Sequence, residues 1–378
     1  MMGDNTVDPA AKPSPAKRIV RVLVGLVVLV FIFGWLLPQF IDYELIWEAV
    51  SGLTWGDLIL LTALSLLRVP TEALIYRAML PGLRIVAGSG AYLSSNVAAN
   101  VMPPPASSIV QFAYFRAEGF DSQASMTGAV GSFIFPQGGR ILLPIPALLL
   151  LVAVGGADSE ALLIAGISAA VAALVCVLIR LIGRSEKSAR WVGAKLGQFV
   201  SWIMVKLHKD PVGDLGDQVV DFRDNAFAVV RRRWRIGSIA VALNLTLTYL
   251  ILVVSLRAVG VGGDQIGLSL IFASFAVAFF AGVVIPVTGS GLGVVDVVMV
   301  SALSASMTGS VDVNVVVAAV VLWRLFYGLI ALFPGSVTLT RFTSANRDLI
   351  SSATAEFGAA NDGDSASGPV DYDNVEES

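Results

Sequence analysis

The chain has 378 residues, of which 56% are hydrophobic and 14% are charged, with a mean hydropathy of +0.79 and a formal net charge of −3. This composition is far too apolar for a soluble domain, and no nucleic-acid partner is expected. The single cysteine, Cys176, and the single histidine, His208, exclude disulfides and cysteine metal sites and give no basis for a zinc site or a Ser-His-Asp triad, so no cofactor or metal is expected.

The N-terminal region is predicted to hold a short disordered segment and a first membrane span. Residues 1–16 are polar and contain prolines, which is typical of disorder. Lys17, Arg18 and Arg21 then precede an apolar run that ends at Leu37. The run is longer than a secretory signal core and lacks a small-x-small cleavage site, so we interpret 19–38 as an uncleaved span.

Further apolar stretches predict an all-α polytopic membrane protein. Five of them approach or exceed the roughly 20 residues that cross a bilayer as a helix. They lie at 57–78, 123–154, 160–182, 236–258 and 312–338. Two other segments, about 86–118 and 265–308, are interrupted near the middle by proline and small residues. We predict that both are re-entrant helical hairpins, whose broken tips must be buried in protein or line a wet cavity.

The distribution of charge predicts a plasma-membrane protein with both termini in the cytoplasm. Lysine and arginine flank the first span, and the stretch 183–235 carries eleven of them against six acidic residues, which is typical of cytoplasmic loops. Amphipathic patterning in 183–235 indicates a linker helix that either lies on anionic headgroups or packs on the bundle. The tail 344–378 holds eight acidic residues and is predicted to be disordered, and a homo-oligomer is possible.

The two hairpins share a spacing that suggests an internal repeat within the membrane domain 17–343. Arg140 follows Pro103 by 37 residues, and Arg324 follows Pro286 by 38. The predicted topology brings the first hairpin in from the cytoplasm and the second from outside. Six spans and two hairpins would then form an inverted repeat, an architecture that places a binding site at the seam between the halves.

Arg140 and Arg324 are the first candidates for substrate binding. An unpaired arginine in the middle of a membrane costs at least about 2.5–3.5 kcal/mol, so each should face a partner or water. A guanidinium group can hold phosphate through two parallel hydrogen bonds, which favours an anionic headgroup as the substrate. Alternatively, each arginine pairs with Asp296 or with a hairpin carbonyl and only fixes the fold.

The second hairpin supplies further candidates at its tip. Gly289, Gly291 and Gly293 would let the backbone turn sharply and approach a ligand, and the helix that follows would direct its free N–H groups at an anion. Asp296 lies in the first turn of that helix, where it would complement the dipole or serve as the counter-ion of an arginine. The glycines would equally serve close helix packing.

Two other polar positions remain candidates for the same site. Arg68 and Glu72 lie four residues apart in a predicted span, so they share a helix face and either line a cavity or neutralise each other. Asn100 lies in the first hairpin and would stabilise it or touch the substrate. No catalytic residue is expected. A transferase would need a base or a metal site, and Glu72 and Asp296 are the only carboxylates within the spans that could supply one.

The motif Pro286-Val-Thr-Gly-Ser-Gly-Leu-Gly-Val-Val-Asp296, the pair Trp323-Arg324 and the Asn-x-x-x-Pro sequence within 100–105 resemble those of the lysylphosphatidylglycerol synthase transmembrane-domain family. The resemblance extends over about 20–340. Asp296 stands where the family usually has Glu, and Pro104-Pro105-Ala106 stands where it usually has a glycine-rich sequence. The resemblance implies a flippase-like protein without the lipid-aminoacylating half of bifunctional relatives. A membrane-embedded transferase and an accessory scaffold for envelope assembly remain alternatives.

Overall fold

The computed structural model describes residues 51–101, 106–155, 159–206, 216–285, 293–308, 311–346, 349–350 and 352. The predicted N-terminal segment 1–16, the predicted first span 19–38 and the part of the tail beyond residue 352 lie outside these ranges. Within them, all regular secondary structure is helical.

The helices follow one another with short connections. They are α1 Trp55–Met79, α2 Ile85–Val101, α3 Ala106–Ala117, α4 Ser122–Leu142, α5 Pro144–Val154, α6 Ser159–Arg184, α7 Glu186–Lys206, α8 Gly216–Ala258, α9 Leu268–Val284, α10 Val294–Ser306, α11 Val313–Arg324, a π-helix Leu325–Leu329 and α12 Leu332–Ala345.

Five helical stretches in the described ranges are long and apolar enough to cross a bilayer. They are Trp55–Met79, Ser122–Val154, Leu162–Arg184, Trp234–Ala258 and Val313–Ala345. Each corresponds, with shifts at the ends, to one of the five spans predicted beyond residue 50. Their apolar side chains face outward as well as inward, which is typical of helices surrounded by lipid rather than water.

Each interrupted segment contains two short helices that pack against each other, and we call each such pair a hairpin. α2 packs against α3, and α9 packs against α10. None of these four helices exceeds 17 residues, so each is shorter than the roughly 20 residues that cross a hydrocarbon core. The tips, 102–105 and 286–292, lie outside the described residues, and so do Gly289 and Gly291.

Two of the long apolar stretches are themselves broken near an arginine. α4 gives way to α5 at Leu143, where Pro144 and Pro146 follow, and α11 gives way to a π-helix directly after Arg324. α12 then begins shortly before Pro334. Proline cannot donate to the carbonyl four residues earlier and its ring crowds that carbonyl, so Pro144 and Pro146 account for the break after α4, and Pro334 accounts for the break between the π-helix and α12.

The packing between the two halves of the chain is reciprocal. α1 lies along α8, while α12, from the second broken stretch, packs on α2 of the first hairpin. Correspondingly, α5, from the first broken stretch, packs on α9 of the second hairpin. The largest hydrophobic core is built around Phe275, Met299 and Trp323 at the centre of the second hairpin and α11. Each hairpin thus contacts a broken stretch of the other half in addition to helices of its own half.

The described parts of the segment 183–235, which are 183–206 and 216–235, are almost entirely helical and pack on neighbouring helices. α7 contacts both α6 and α8. α8 runs without a break from the linker through the apolar stretch Trp234–Ala258. Ala189 and Val192 are buried, whereas Trp191 is exposed. α7 therefore packs on the helices that precede and follow it, and Trp191 does not share the buried face, while the contact of this linker with anionic headgroups stays a prediction.

Candidate functional site

Arg68 and Glu72 form one turn of α1 that faces the interior of the protein. Four residues apart on a helix, they lie on the same face, and Arg68 Nη2 donates to Glu72 Oε1 over 3.4 Å. The Arg68 side chain is 7% exposed and that of Glu72 is 15% exposed. Asn244 of α8 also donates to Glu72 Oε1, at 3.2 Å, and to the Thr71 hydroxyl. This ion pair is one of the two alternatives that the spacing of Arg68 and Glu72 left open, the other being that the pair lines a cavity.

The guanidinium of Arg68 continues from this ion pair to two aromatic residues. Its Nη2 donates to the Tyr92 hydroxyl at 2.7 Å, and its Nη1 donates to the backbone carbonyl of Tyr327 in the π-helix. The guanidinium carbon lies 4.3 Å from the centroid of the Tyr327 ring. Arg68 therefore connects α1, α2 and the π-helix, and a cation facing an aromatic ring gains electrostatically from it.

The π-helix presents Tyr327 to its neighbours. π-helical turns displace residues from the regular register and occur frequently at functional sites. The indole of Trp323 stacks on the Tyr327 ring, with centroids 5.1 Å apart, and its Nε1 donates to the Thr248 carbonyl at 3.1 Å. The Gly328 carbonyl accepts from Asn96 of α2, at 3.4 Å. The break in the second apolar stretch is thus fixed by side chains from two other helices.

Arg324 and Asp296 form a bidentate ion pair. Arg324 Nε donates to one carboxylate oxygen at 2.8 Å and Nη2 donates to the other at 2.7 Å. Asp296 also caps the start of α10, because its Oδ2 accepts from the backbone N–H of Gly293 at 3.0 Å. Gly293 adopts φ +89°, a backbone conformation that residues other than glycine rarely adopt. Asp296 therefore fulfils both structural alternatives considered for it, counter-ion and helix cap.

Arg140 has no carboxylate partner among the described residues. Its Nη1 donates to Gln137 Oε1 at 3.1 Å and its Nη2 to the Tyr327 hydroxyl at 3.4 Å, so both acceptors are neutral. The guanidinium carbon lies 5.2 Å from the centroid of the Phe279 ring. Within this part of the chain, the buried Nε of Arg140 has no hydrogen-bond partner.

The three arginines converge on Tyr327 through different parts of that residue. Arg68 binds its carbonyl and faces its ring, Arg140 donates to its hydroxyl, and Arg324 lies 5.8 Å from the ring centroid. We call Arg68, Arg140, Arg324, Glu72, Asp296 and Tyr327 the arginine cluster. Three guanidinium groups face two carboxylates, so the described cluster carries one uncompensated positive charge, at Arg140. Buried charges are usually paired, and this excess favours an anion as the missing partner.

The remaining candidates from the sequence differ in whether they contact this cluster. Gly293 reaches it through Asp296, whereas Gly289 and Gly291 fall outside the described residues. Asn100 donates to the carbonyl and the side-chain oxygen of Asn96, at 2.8 and 3.3 Å. Its described hydrogen bonds therefore extend one turn along α2, toward the residue that holds Gly328, and not to an arginine.

Residues 20–335 match the sequence profile of the lysylphosphatidylglycerol synthase TM region, over most of the chain's length. The chain belongs to this family. A search of curated proteins finds no match to this chain. Asp296 and Trp323-Arg324, three of the residues on which the resemblance to the lysylphosphatidylglycerol synthase TM region rested, are brought together around the π-helix.

Sequence reasoning missed one aromatic residue of the arginine cluster and two that contact it in this lysylphosphatidylglycerol synthase TM region. Tyr92 binds Arg68, Phe279 lies beside Arg140, and Tyr327 contacts all three arginines. A signal existed for Tyr327, because it follows Arg324 by three residues and would share its helix face. No spacing rule relates Tyr92 or Phe279 to the arginines, which lie on other helices.

Proposed function

We propose that this multi-pass membrane protein is a lipid translocator of the plasma membrane, with both termini in the cytoplasm. It would move a phospholipid or a polyprenyl-phosphate-linked glycolipid between the two leaflets. We propose further that six spans and two re-entrant hairpins form an inverted repeat. Alternating access then follows from rocking one half against the other about a fixed site.

The reciprocal packing supports the proposal of an inverted repeat. Each half contains a long apolar helix, a short helical hairpin and a broken apolar stretch, in that order. The two broken stretches, Ser122–Val154 and Val313–Ala345, have 33 residues each. Because α5 packs on the second hairpin and α12 on the first, the halves clasp each other in the way that a two-fold axis within the membrane plane would produce.

The observation that carries the function is the uncompensated charge of Arg140. Arg68 and Arg324 each have a carboxylate, whereas Arg140 has only the neutral Gln137 and Tyr327 oxygens among the described residues. Arg140 is half-buried, with its Nε enclosed and without a partner in the described part of the chain, and an unpaired cation within a membrane should attract a lipid phosphate because it is costly there. Arg68 and Arg324 would position Tyr327, and through it Arg140.

Translocation by this mechanism needs no nucleotide. The sequence contains no Gly-x-x-x-x-Gly-Lys-Ser/Thr motif for binding the phosphates of a nucleotide. We therefore propose that net movement is driven by an ion gradient, or by consumption of the lipid on the arrival side. The binding charge would only lower the barrier to moving a phosphate through hydrocarbon.

The test is the rate at which phosphatidylglycerol with a fluorophore on one acyl chain crosses proteoliposomes, read as protection from an impermeant reductant. Arg140→Gln should lower the protein-dependent rate about tenfold or more, since a charge-assisted hydrogen bond contributes about 1.5–3 kcal/mol. Arg84→Gln is the matched control, because Arg84 is exposed and pairs with Glu118 outside the cluster. A wild-type rate in Arg140→Gln would contradict the proposed role of Arg140.

No described contact favours the transferase alternative. Both candidate carboxylates, Glu72 and Asp296, already accept hydrogen bonds from arginines in ion pairs. The scaffold alternative predicts that the arginines are dispensable, so the same rate measurements distinguish it.

A further inference from the structure

An apolar groove lies beside the arginine cluster. It is a cavity of about 200 Å³ between α1, α2 and the start of α12. Its lining is contributed by Leu66 and Val69 of α1, Leu93 of α2, and Ile330, Ala331 and Pro334 around the start of α12. The Leu66 side chain is 55% exposed, so the groove opens at the outer surface of α1, where a spanning helix faces lipid.

Each of the three segments that line the groove also contains, one to three residues earlier in the chain, a residue of the arginine cluster or a hydrogen-bond partner of that cluster. Val69 follows Arg68 in α1, and Leu93 follows Tyr92, to which Arg68 donates. Ile330 closes the π-helix, with its N–H bound to the Leu325 carbonyl at 3.0 Å, three residues after Tyr327. The same three segments that Arg68 ties together on one face therefore form the groove on an adjacent face.

We propose that this groove holds one acyl chain of an anionic phospholipid whose phosphate is bound at the arginine cluster. The inference rests on the proposed function and adds a second recognition element to it. The cluster supplies the charge for the phosphate, and the groove supplies an apolar path by which the attached chain leaves toward the surrounding lipid. The substrate would accordingly be recognised as a whole amphiphile and not as a headgroup alone.

The free energy of this arrangement comes from the headgroup. A chain that moves from bilayer to groove exchanges one apolar environment for another, so it gains little from the hydrophobic effect. A lipid whose phosphate charge is balanced by its own ammonium group, such as phosphatidylcholine, would therefore have no strong preference for the groove, whereas an anionic lipid whose phosphate is bound by Arg140 is held there. Occupancy of the groove should consequently depend on a residue that does not line it.

The experiment uses the full-length protein in proteoliposomes with phosphatidylglycerol that carries a diazirine in the middle of one acyl chain. After irradiation, adducts are mapped by mass spectrometry of peptides. We expect adducts to be enriched at 65–70 and 330–334 over the rest of the lipid-facing surface. The same photoreactive chain on zwitterionic phosphatidylcholine should give several-fold fewer adducts there.

Variants separate the groove from the surface around it. Ala331→Val and Ala331→Phe should lower groove adducts progressively, because Ala331 is 8% exposed and lines the cavity. Leu67→Phe is the matched control, since Leu67 is 56% exposed on α1 and does not line the groove, and its adducts should stay at the wild-type level. Arg140→Gln should lower groove adducts several-fold. The size-exclusion profile and the thermal unfolding midpoint of each variant establish that it is folded.

Two results would overturn the proposal: adducts spread evenly over the lipid-facing helices, or groove adducts that Arg140→Gln leaves unchanged, which would mean that bilayer lipid fills the groove. A different result would contradict the proposed function while leaving the groove proposal intact. If groove adducts depend on Arg140 while the translocation rate does not, the groove holds the anionic lipid as inferred, but Arg140 does not serve translocation.

Discussion

Tyr327 joins the intramembrane arginines through three separate parts of one residue. Its carbonyl binds Arg68, its hydroxyl accepts from Arg140, and its ring lies beside Arg324. Stacking on the buried Trp323 fixes the ring, and Trp323 is fixed in turn by its bond to Thr248. A change in any one arginine should therefore reach the others through the position of this tyrosine.

At the same scale, the Asp296–Arg324 pair can be tested by removing one charge. Asp296→Asn would leave the guanidinium uncompensated in a site where the Arg324 side chain is 16% exposed. We expect a loss of stability of up to about 3 kcal/mol, the lower end for breaking a buried pair, because both groups keep some exposure. The measurement is the thermal unfolding midpoint in detergent.

The control for that experiment removes both charges. Asp296→Asn combined with Arg324→Gln should recover part of the lost stability, since no lone charge then remains. Equal midpoints for the single and the double variant would show that the carboxylate acts through the Gly293 cap and not through its ion pair.

Sequence reasoning recovered the ionic contacts of the site better than its aromatic ones. The Arg68–Glu72 contact follows from helical spacing, and Asp296 was one of two partners considered for Arg324. Tyr327 was missed because its carbonyl and ring meet the arginines through a π-helix, a register that apolar periodicity does not reveal.

At the scale of the helices, small residues decide how closely the two halves approach. A Cβ on Gly335 of α12 would lie 2.5 Å from the Leu93 carbonyl oxygen and 2.7 Å from the Val97 side chain of α2. Backbone cannot yield as a flexible side chain can, so this glycine is required by the contact. The reciprocal contact of α5 with α9 has no such glycine among its described positions.

Gly335→Val should therefore force α12 away from α2. We expect a destabilisation of about 1–3 kcal/mol from overpacking, together with a lower translocation rate, because the π-helix and Tyr327 immediately precede α12. Gly166→Ala is the matched control in α6, where an added Cβ meets nothing within 4 Å and should stabilise the helix slightly. A wild-type unfolding midpoint in Gly335→Val would contradict the close packing of α2 and α12.

The helices themselves were well predicted, but their packing was not. Length and apolarity determine where a chain can span, so 57–78 and 236–258 agree with Trp55–Met79 and Trp234–Ala258. The linker is different, because its amphipathic pattern fits a membrane surface and a helical neighbour equally well. Tertiary contacts show α7 packed against α6 and α8, whereas its contact with anionic headgroups stays a prediction.

At the scale of the whole molecule, the inverted repeat predicts on which side each loop lies. The loop between α3 and α4 should face the cytoplasm, and the loop between α8 and α9 should face outside. Ala117→Cys and Gly263→Cys place thiols at exposed positions in or beside these loops, and Cys176→Ser provides the background because Cys176 is the only native cysteine. Impermeant maleimide should label Gly263→Cys in intact cells and Ala117→Cys only after permeabilisation. Labelling of both from the same side would contradict the inverted arrangement.

The central claim is that excess positive charge at Arg140, and not the number of arginines, moves an anionic lipid. The most direct test compares translocation of labelled phosphatidylglycerol by Arg140→Gln, which removes the excess charge, and by the double variant Asp296→Asn with Arg324→Gln, which keeps it. We predict that Arg140→Gln lowers the rate about tenfold or more, and that the folded double variant loses considerably less. An equal loss in the two variants, or a wild-type rate in Arg140→Gln, would contradict the account.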